Sequence, residues 1–347
     1  MRSPSNFATL AANWRGASVL VIGDALLDGW LAGTPTRLSR EAPVPVIALD
    51  ATRECCGGAA NTAANFAALG ANTTLVGAVG DDDDGARLRT CVWDSGVADR
   101  LATAIGRRTV TKRRVVAEEH VLVRFDDGDT GPLAPAAAES VVHRLDEALA
   151  ERPDAVVVCD YGIGTLGAAV RAVFAARRLD LPLLAVDAHD LAPWAPLGPD
   201  LVTPSWAEAC RVLGGAAPMA APEDRVGAIG AARGLLLRHT GAATVAVTLD
   251  AEGSVVMTQD GVSVQTSAAP ARRSHAAGAG GAYVAGFVLA RLAGADVTES
   301  AAVAQRCASM AIRGIGTAVC PPLLVRTPAT AAADEKIGVP EGDPVRS

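Results

Sequence analysis

The sequence predicts an α/β fold in which a mostly parallel central sheet lies between two layers of helices. Short segments that are apolar throughout alternate along the chain with longer stretches rich in Ala, Leu and Arg. A strand without polar residues has both faces buried, which is typical of a parallel sheet covered on both sides. At 347 residues the chain is long enough for one large domain. Aromatic residues make up only 3% of it, so the core must consist mainly of Ala, Val and Leu.

Six apolar segments are the predicted strands, and several of them end in Asp, Thr or Ser. Ligands of open parallel sheets bind beyond the carboxyl ends of the strands, so these polar ends predict where a site would lie. The segments are SVLVIGD (18–24), TTLVGAVGD (73–81), AVVVCD (155–160), LPLLAVD (181–187), DLVTPS (200–205) and ATVAVTLD (243–250).

Helices are predicted between these strands, for example over 59–71, 140–152 and 166–179. Two segments break the alternation, at 29–50 and 107–127, and their extended character predicts a small β-lid. We expect a single domain over 1–325. The remaining residues, 326–347, are rich in Ala, Glu, Asp, Pro and Gly and are predicted to be a disordered tail.

Composition excludes several classes of function. The net charge of −7 and the presence of only two lysines, Lys112 and Lys336, argue against a nucleic-acid-binding protein. No apolar segment is long enough to predict a membrane span. The seven cysteines form no CxxC pair, which predicts reduced thiols, a cytoplasmic location and no metal site. The acidic run 81–84 follows a strand, and we interpret it as a helix-capping loop rather than a cation site.

Two motifs near the N-terminus could bind a ligand. In GGAANTAANFAALGA (57–71), Gly57 and Gly58 would let the backbone approach a ligand closely, and the Asn61 amide can donate and accept hydrogen bonds. On spacing alone, a simple turn before a helix is an equally good interpretation. In GDALLD (23–28), Asp28 could bind ligand hydroxyls, although an isolated acid of this kind is more often a cap or a solvated loop residue.

Together these motifs resemble the PfkB, or ribokinase-like, sugar kinases. GDALLDGWLAGTPTRLSREAPVPVI (23–47) followed by the Gly57 motif resembles the N-terminal half of that family, and most closely its heptose-phosphate kinase branch. The resemblance extends over roughly 17–325 and implies a three-layer sandwich with a β-lid. Four later motifs support it, namely CDYGIGTL (159–166), VTPSWAEA (202–209), VTLDAEG (247–253) and GIGTAV (314–319).

The resemblance implies transfer of the ATP γ-phosphoryl group to a hydroxyl of a sugar or sugar phosphate, with Mg²⁺, and a possible homodimer through the lid. It also implies roles for individual residues. On the sugar side, Asp28 would bind a hydroxyl, Lys112 of the lid would contact the substrate, and the sugar would also be contacted by Gly57, Gly58 and Asn61. On the nucleotide side, Glu208 would be linked to metal and phosphate binding, and Thr248 and Gly253 would lie near the nucleotide.

The stretch HAAGAGG (275–281) departs from the family pattern D-x-T-G-A-G-D. Its turn Gly278-Ala279-Gly280 keeps the backbone N–H groups of the anion hole at a helix start. Gly281, however, occupies the position of the catalytic Asp, which in the family accepts the proton of the attacking hydroxyl. No catalytic residue is therefore intact. His275 could substitute for it, but a surface or packing role is the better interpretation.

Further departures concentrate at the phosphoryl-transfer end of the resemblance. Ala277, Ile163, Ser205 and His189 stand where Thr, Lys, Asn and Lys are usual. A missing general base costs about 10²–10⁴-fold in rate, while phosphoryl transfer gains mostly from positioning and electrostatics, so slow turnover remains possible. We therefore expect a catalytically impaired heptose-kinase-like protein. The alternatives are an active sugar kinase, a sugar- or nucleotide-binding regulatory pseudokinase, and an interaction subunit with a vestigial pocket.

Overall fold

The computed structural model describes residues 7–117, 120–214, 224–268, 277–313, 317, 319 and 320. Within them the strands are β1 (Ser18–Gly23), β2 (Ala25–Leu38), β3 (Pro45–Gly58), β4 (Asn72–Gly80), β5 (Ala98–Ala104), β6 (Thr111–Ala117), β7 (His120–Asp127), β8 (Ala155–Asp160), β9 (Leu183–Ala188), β10 (Leu201–Val202), β11 (Thr244–Thr248), β12 (Ser254–Thr258) and β13 (Ser263–Thr266). The α-helices are α1 (Phe7–Trp14), α2 (Ala59–Ala68), α3 (Asp83–Asp94), α4 (Pro135–Ala150), α5 (Ala168–Arg177), α6 (Trp206–Val212), α7 (Arg225–Thr240), α8 (Ala279–Leu292) and α9 (Val297–Ala311).

Nine strands form the central sheet, in the order β13-β12-β11-β10-β9-β8-β1-β4-β5. Neighbours from β11 to β5 are parallel, and β12 is antiparallel to both β11 and β13. All six predicted strands lie in this sheet. The segment 200–205 contributes only two residues as β10, because Pro204 has no N–H for a further ladder bond.

The two faces of the sheet pack against separate helical layers, which confirms the predicted three-layer α/β fold. Along β1, Val19 and Val21 belong to the cluster that includes α1, α2, α8 and α9. The alternate residues Leu20 and Ile22 belong to the cluster that includes α4 to α7. Because successive side chains of a strand point to opposite faces, an uninterrupted apolar strand fills both interfaces.

A second sheet of four strands, in the order β3-β2-β6-β7, forms the lid. The predicted segments 29–50 and 107–127 lie in it, and the strands continue further, since β2 begins at Ala25 and β3 ends at Gly58. The described residues of β7 are all exposed. No helix among the described residues has the length and apolar character needed to cross a membrane.

The acidic run 81–84 begins α3. Asp82 is its N-cap and accepts a hydrogen bond from Gly85 N at 2.8 Å, and Asp83 and Asp84 lie in the first turn. Asp82 also accepts hydrogen bonds from the backbone and hydroxyl of Thr109. The interpretation of this run as a helix-capping loop is confirmed.

Asp24 joins the two sheets, because it is the single residue between β1 and β2. Its side chain is fully buried. The carboxylate accepts hydrogen bonds from the backbone N–H groups of Tyr161 at 2.9 Å, Ile163 at 3.0 Å and Thr165 at 3.2 Å. The Asp24 carbonyl accepts a fourth from Ala59 N, the first residue of α2. One aspartate therefore holds the loop after β8 and the start of α2 at the end of β1.

Replacement of Asp24 by Ala should destabilise the fold, because it leaves three buried N–H groups without an acceptor. We expect Asp24→Ala to lower the free energy of unfolding by about 3 kcal/mol or more, measured by urea denaturation. Asp94→Ala, which removes an exposed carboxylate at the end of α3, is the matched control and should change it by less than about 0.5 kcal/mol. Equal effects of the two changes would contradict the role of Asp24.

Candidate functional site

The residues with predicted sugar contacts converge where the lid meets the central sheet. In the lid, Asp28 on β2 pairs with Lys112 on β6. A Cβ atom at Gly57 would lie 2.9 Å from Asp28 Oδ2, so this glycine leaves room for the carboxylate. Gly58 has a φ of 56° and caps α2, and Asn61 lies buried in the first turn of that helix. The structure thus brings these five residues to one place.

Both carboxylate oxygens of Asp28 are engaged by residues that the sequence analysis did not select. Arg114 Nη1 donates to Oδ1 at 3.0 Å, and Thr317 Oγ1 donates to Oδ2 at 2.8 Å. The Arg114 guanidinium also lies 4.8 Å from the centre of the Trp30 ring, whose Nε1 donates to Thr317 Oγ1 at 3.1 Å. The Asp28 carboxylate therefore accepts from a cation and from a hydroxyl group, which together fix its orientation.

The predicted anion hole coincides with the start of α8. Gly278 is the N-cap of this helix, with a left-handed φ of 89° that favours glycine, and Ala279 and Gly280 are its first two residues. The first bond within the helix runs from Ala282 N to Gly278 O at 3.2 Å. The N–H groups of the first turn therefore have no acceptor within the helix and can bind an anion. His275, the candidate substitute base, lies outside the described residues.

Gly281 is buried where α8 rests directly on α2. A Cβ atom at this position would lie 2.9 Å from Asn61 Oδ1, 3.0 Å from Thr62 Oγ1 and 3.1 Å from Thr62 Cα. Close beside it, Asn61 Nδ2 and Thr62 Oγ1 are buried and have no hydrogen-bond partner of normal geometry among the described residues. Such orphaned polar groups are rare in folded proteins. Both could donate to a carboxylate, which glycine does not provide.

Glu208 and Thr248 are connected through Ser205 at a second position, near the ends of β10 and β11. Ser205 pairs with Thr248, and it caps α6 in a reciprocal arrangement with Glu208. Glu208 Oε2 accepts from Ser205 N at 2.7 Å, and Oε1 lies 2.6 Å from His189 Nδ1. Burial alone would raise the pKa of Glu208, but the hydrogen bonds from His189 and Ser205 hold it below its ordinary value. Both oxygens of this carboxylate are therefore in use.

Gly253 follows β11 in a turn that only glycine fits. Its φ is 97°, and a Cβ atom there would lie 2.1 Å from the carbonyl oxygen of Thr266. The turn is closed by a hydrogen bond of 2.8 Å from Leu249 N to Gly253 O. The predicted nucleotide-side residues thus lie on the β10–β12 part of the sheet.

Asp187 is a titratable residue that sequence reasoning recognised only as one of several strand-ending acids. Tyr161 donates its hydroxyl proton to Asp187 Oδ2 at 2.7 Å, and Thr203 Oγ1 donates to Oδ1 at 3.2 Å. Burial nevertheless raises the pKa of Asp187 from 3.8 to about 6.

Ile163, where the resemblance places a lysine, packs instead in a small apolar cluster with Leu26 and Val110.

The contact at Gly281 predicts opposite effects for alanine at two adjacent glycines. Gly281→Ala forces Asn61 and Thr62 to move and should lower the free energy of unfolding by about 1–3 kcal/mol. A Cβ atom at Gly280 meets nothing within 4 Å. Gly280→Ala is therefore the matched control and should leave stability unchanged or raise it by about 0.5 kcal/mol. Thermal or urea denaturation measures both, and equal tolerance at the two positions would show that the helices do not touch as described.

The raised pKa of Asp187 predicts a pH dependence of stability. The folded protein holds this proton more tightly than the unfolded chain, so the contribution of Asp187 is fully present below its unfolded pKa and is lost as pH rises through about 6. Asp187→Asn removes the titration. The free energy of unfolding of the wild type relative to this variant should fall by about 2–3 kcal/mol between about pH 4 and pH 7. A difference that stays constant over this range would contradict the prediction.

Comparison with curated sequences finds relatives along nearly the whole chain. The bifunctional protein HldE of Bradyrhizobium diazoefficiens is 32% identical over 344 residues, which cover 96% of this chain and 67% of the relative. HldE of Azorhizobium caulinodans is 34% identical over 316 residues, or 87% and 62% of the two chains. The chain thus spans about two thirds of the length of these relatives.

Solved structures share the fold at low sequence identity. Phosphofructokinase-2 from Escherichia coli, in complex with fructose-6-phosphate, superposes with a TM-score of 0.68 at 18% identity, covering 90% of this chain and 97% of the other. Ribokinase of Arabidopsis thaliana, complexed with ribose and ATP, gives 0.62 at 19% identity over 89% and 97%. The family model of the pfkB carbohydrate kinases matches residues 17–323. The protein therefore belongs to the pfkB family of carbohydrate kinases.

Proposed function

We propose that this protein binds a sugar phosphate of the heptose type together with ATP, and that it transfers the phosphoryl group slowly or not at all. The observation that carries the proposal is Gly281. It stands at the start of α8, beside two buried donors, Asn61 Nδ2 and Thr62 Oγ1, for which the described part of the chain offers no acceptor at normal hydrogen-bond geometry. The arrangement of Asp28 and the start of α8 supports binding of the two ligands.

Binding of the sugar is supported by the arrangement around Asp28. Arg114 and Thr317 hold its carboxylate in one orientation before any ligand arrives. A preorganised carboxylate loses little entropy when it accepts a hydroxyl hydrogen bond. Lys112 on β6 lies opposite Asp28 on β2 in the lid. Its positive charge would suit it to bind a phosphate group of the sugar.

Binding of ATP is supported by the free N–H groups at the start of α8, which suit a phosphate. The described residues contain no group of three or more side chains that could hold a metal ion. Mg²⁺ usually binds through one or two carboxylates and the phosphate oxygens of its nucleotide. When bound, it would neutralise phosphate charge. Glu208 is the carboxylate that the resemblance assigns to it, and its engagement by His189 and Ser205 favours an indirect contact.

The impaired step is removal of the proton from the attacking hydroxyl. A general base contributes about 10²–10⁴-fold to such a step, and a glycine at position 281 contributes nothing. Positioning by Asp28 and the anion hole would persist, since it depends on other residues. The expected result is weak turnover above the uncatalysed rate.

The alternative is a pseudokinase whose sugar or nucleotide binding serves regulation. Two further departures favour it. His189 pairs with Glu208, and Ile163 is buried in an apolar cluster near the lid, so neither supplies the cation that the resemblance leads one to expect. Together with Gly281, these departures change three positions at one end of the site where the resemblance leads one to expect a charged residue. Their loss would remove much of the electrostatic stabilisation on which phosphoryl transfer depends.

Restoration of the carboxylate is the direct test. ADP formation is measured over a panel of sugar phosphates, including heptose 7-phosphate, for the wild type, Gly281→Asp and Gly281→Asn. Both variants crowd Asn61 and Thr62 to a similar extent, and a hydrogen bond from Thr62 Oγ1 should partly offset the overpacking in each. We expect Gly281→Asp to exceed the wild type by about 10²-fold or more, and Gly281→Asn, which has the same shape and no base, to remain at the wild-type level.

The other outcomes separate the candidates. Robust wild-type turnover would refute impaired catalysis. If none of the three proteins forms ADP but calorimetry detects binding of ATP or sugar phosphate, the regulatory pseudokinase is favoured. If none forms ADP and none binds either ligand, a vestigial pocket in an interaction subunit is favoured.

We also propose a homodimer formed through the lid. The outer strand of the lid exposes an apolar surface that a second copy would cover. Its exposed residues include Val121, Leu122, Val123 and Phe125. Light scattering after gel filtration should give twice the monomer mass, and Val123→Lys together with Phe125→Lys should give the monomer. A wild-type monomer would refute the proposal.

All seven cysteines are free, which supports a reducing compartment such as the cytoplasm.

A further inference from the structure

Asn65 lies one helical turn after Asn61 in α2 and is completely buried. Its Nδ2 donates to the backbone carbonyl of Asn61 at 2.9 Å and to Asn61 Oδ1 at 3.2 Å. Its Oδ1 accepts from the backbone N–H of Cys320 at 2.8 Å. None of the motifs considered above gives this residue a role, although it touches a predicted sugar contact.

The backbone partners fix the orientation of the Asn65 amide. A peptide N–H can only donate and a peptide carbonyl can only accept. Oδ1 of Asn65 must therefore face Cys320, and Nδ2 must face the carbonyl of Asn61. A reversed amide would place two donors against each other at Cys320 and two acceptors against each other at Asn61.

The orientation of the Asn65 amide determines the orientation of the Asn61 amide. Because Asn65 presents Nδ2, the group of Asn61 that meets it must be an acceptor, and this is Oδ1. Asn61 is left with Nδ2 as the group available for another contact. That nitrogen is buried and has no partner among the described residues. A buried amide donor without an acceptor is unfavourable, and a bound ligand that accepts from it removes this cost.

We infer that Asn65 is a positioning residue that commits Asn61 to donate a hydrogen bond to an oxygen of the bound sugar. The inference rests on the proposed function, because it requires that Asn61 contacts a sugar. It adds the direction of the contact, since Asn65 already donates to Asn61 Oδ1, and the group of Asn61 without a partner among the described residues is the donor Nδ2.

The neighbouring ligand residue has the opposite polarity. Asp28 is an acceptor, and Thr317, which donates to it, lies three residues before Cys320 in the chain. The same C-terminal segment thus supports a carboxylate that accepts hydrogen bonds, Asp28, and an amide whose donor Nδ2 has no partner among the described residues, Asn61. Hydroxyl groups can accept from an amide and donate to a carboxylate. A polyhydroxylated ligand can bond to both residues, whereas a ligand with only acceptor oxygens can accept from Asn61 and offers no further donor to Asp28 beyond Arg114 and Thr317.

A double-mutant cycle tests the positioning role. Affinities for heptose 7-phosphate and fructose 6-phosphate are measured by calorimetry for the wild type, Asn65→Leu, Asn61→Ala and the double variant. We expect Asn65→Leu to weaken sugar-phosphate binding about tenfold in the wild-type background and less than about twofold when Asn61 is already Ala. Affinity for ATP should remain within about twofold throughout. Wild-type affinity in a folded Asn65→Leu protein, or equal losses in both backgrounds, would overturn the inference.

A measurement on the wild type covers the case in which Asn65→Leu does not fold. The chain has only five asparagines, so selective ¹⁵N labelling gives few side-chain amide signals. Titration with the sugar phosphate should shift the Asn61 amide signals more than those of any other asparagine. Unmoved Asn61 signals at saturation would overturn the inference.

Failure of the proposed function is distinguishable from failure of the inference. If the wild type binds no sugar phosphate of the panel, the proposed function fails. The positioning of Asn61 by Asn65 is then tested in the ligand-free protein. There the Asn65 side-chain amide protons should exchange with water at least about tenfold more slowly than those of the exposed Asn13. Equal exchange rates would show that Asn65 does not hold Asn61.

Discussion

The hydrogen bonds of Asp24 are the constraint on which the arrangement of the site depends. This buried carboxylate collects three N–H groups from the loop after β8, and its carbonyl holds the start of α2. The position of α2 in turn determines where Asn61 and Thr62 lie, and therefore what α8 meets at Gly281. A carboxylate used in this way carries out no chemistry, yet it sets the distances between groups that would.

Gly281 leaves no space for a side chain. A buried position that has lost a carboxylate commonly retains a cavity or a water site. Here α8 approaches α2 so closely that even a methyl group would crowd Asn61 and Thr62. Any side chain introduced at position 281 must therefore displace Asn61 and Thr62.

Much of the fold follows from local sequence patterns. The apolar strands are recognisable because each buries both faces, and the glycine turn before α8 is recognisable because Gly278 needs a left-handed φ. The edge strand β5 escaped notice because its sequence, ADRLATA, is half polar. The contacts that shape the site were beyond sequence reasoning, because they join distant positions. Thr317 meets Asp28 across 289 residues, and Cys320 meets Asn65 across 255. No periodicity within a segment records such a pairing.

The direct passage from β1 through Asp24 into β2 has a mechanical consequence for the lid. A lid joined by a free loop could swing as a rigid plate, but the root of this one is immobilised by the same carboxylate that organises the sheet edge. The first residues of β2 are buried, and the pairing of β2 with β3 changes register between Ala32 and Gly33. Irregular pairing is where a strand bends most readily. Bending of the lid is therefore easiest at the two register changes, between Ala32 and Gly33 and between Pro35 and Arg37, and Asp28, Trp30 and Arg114 lie on the central-sheet side of both.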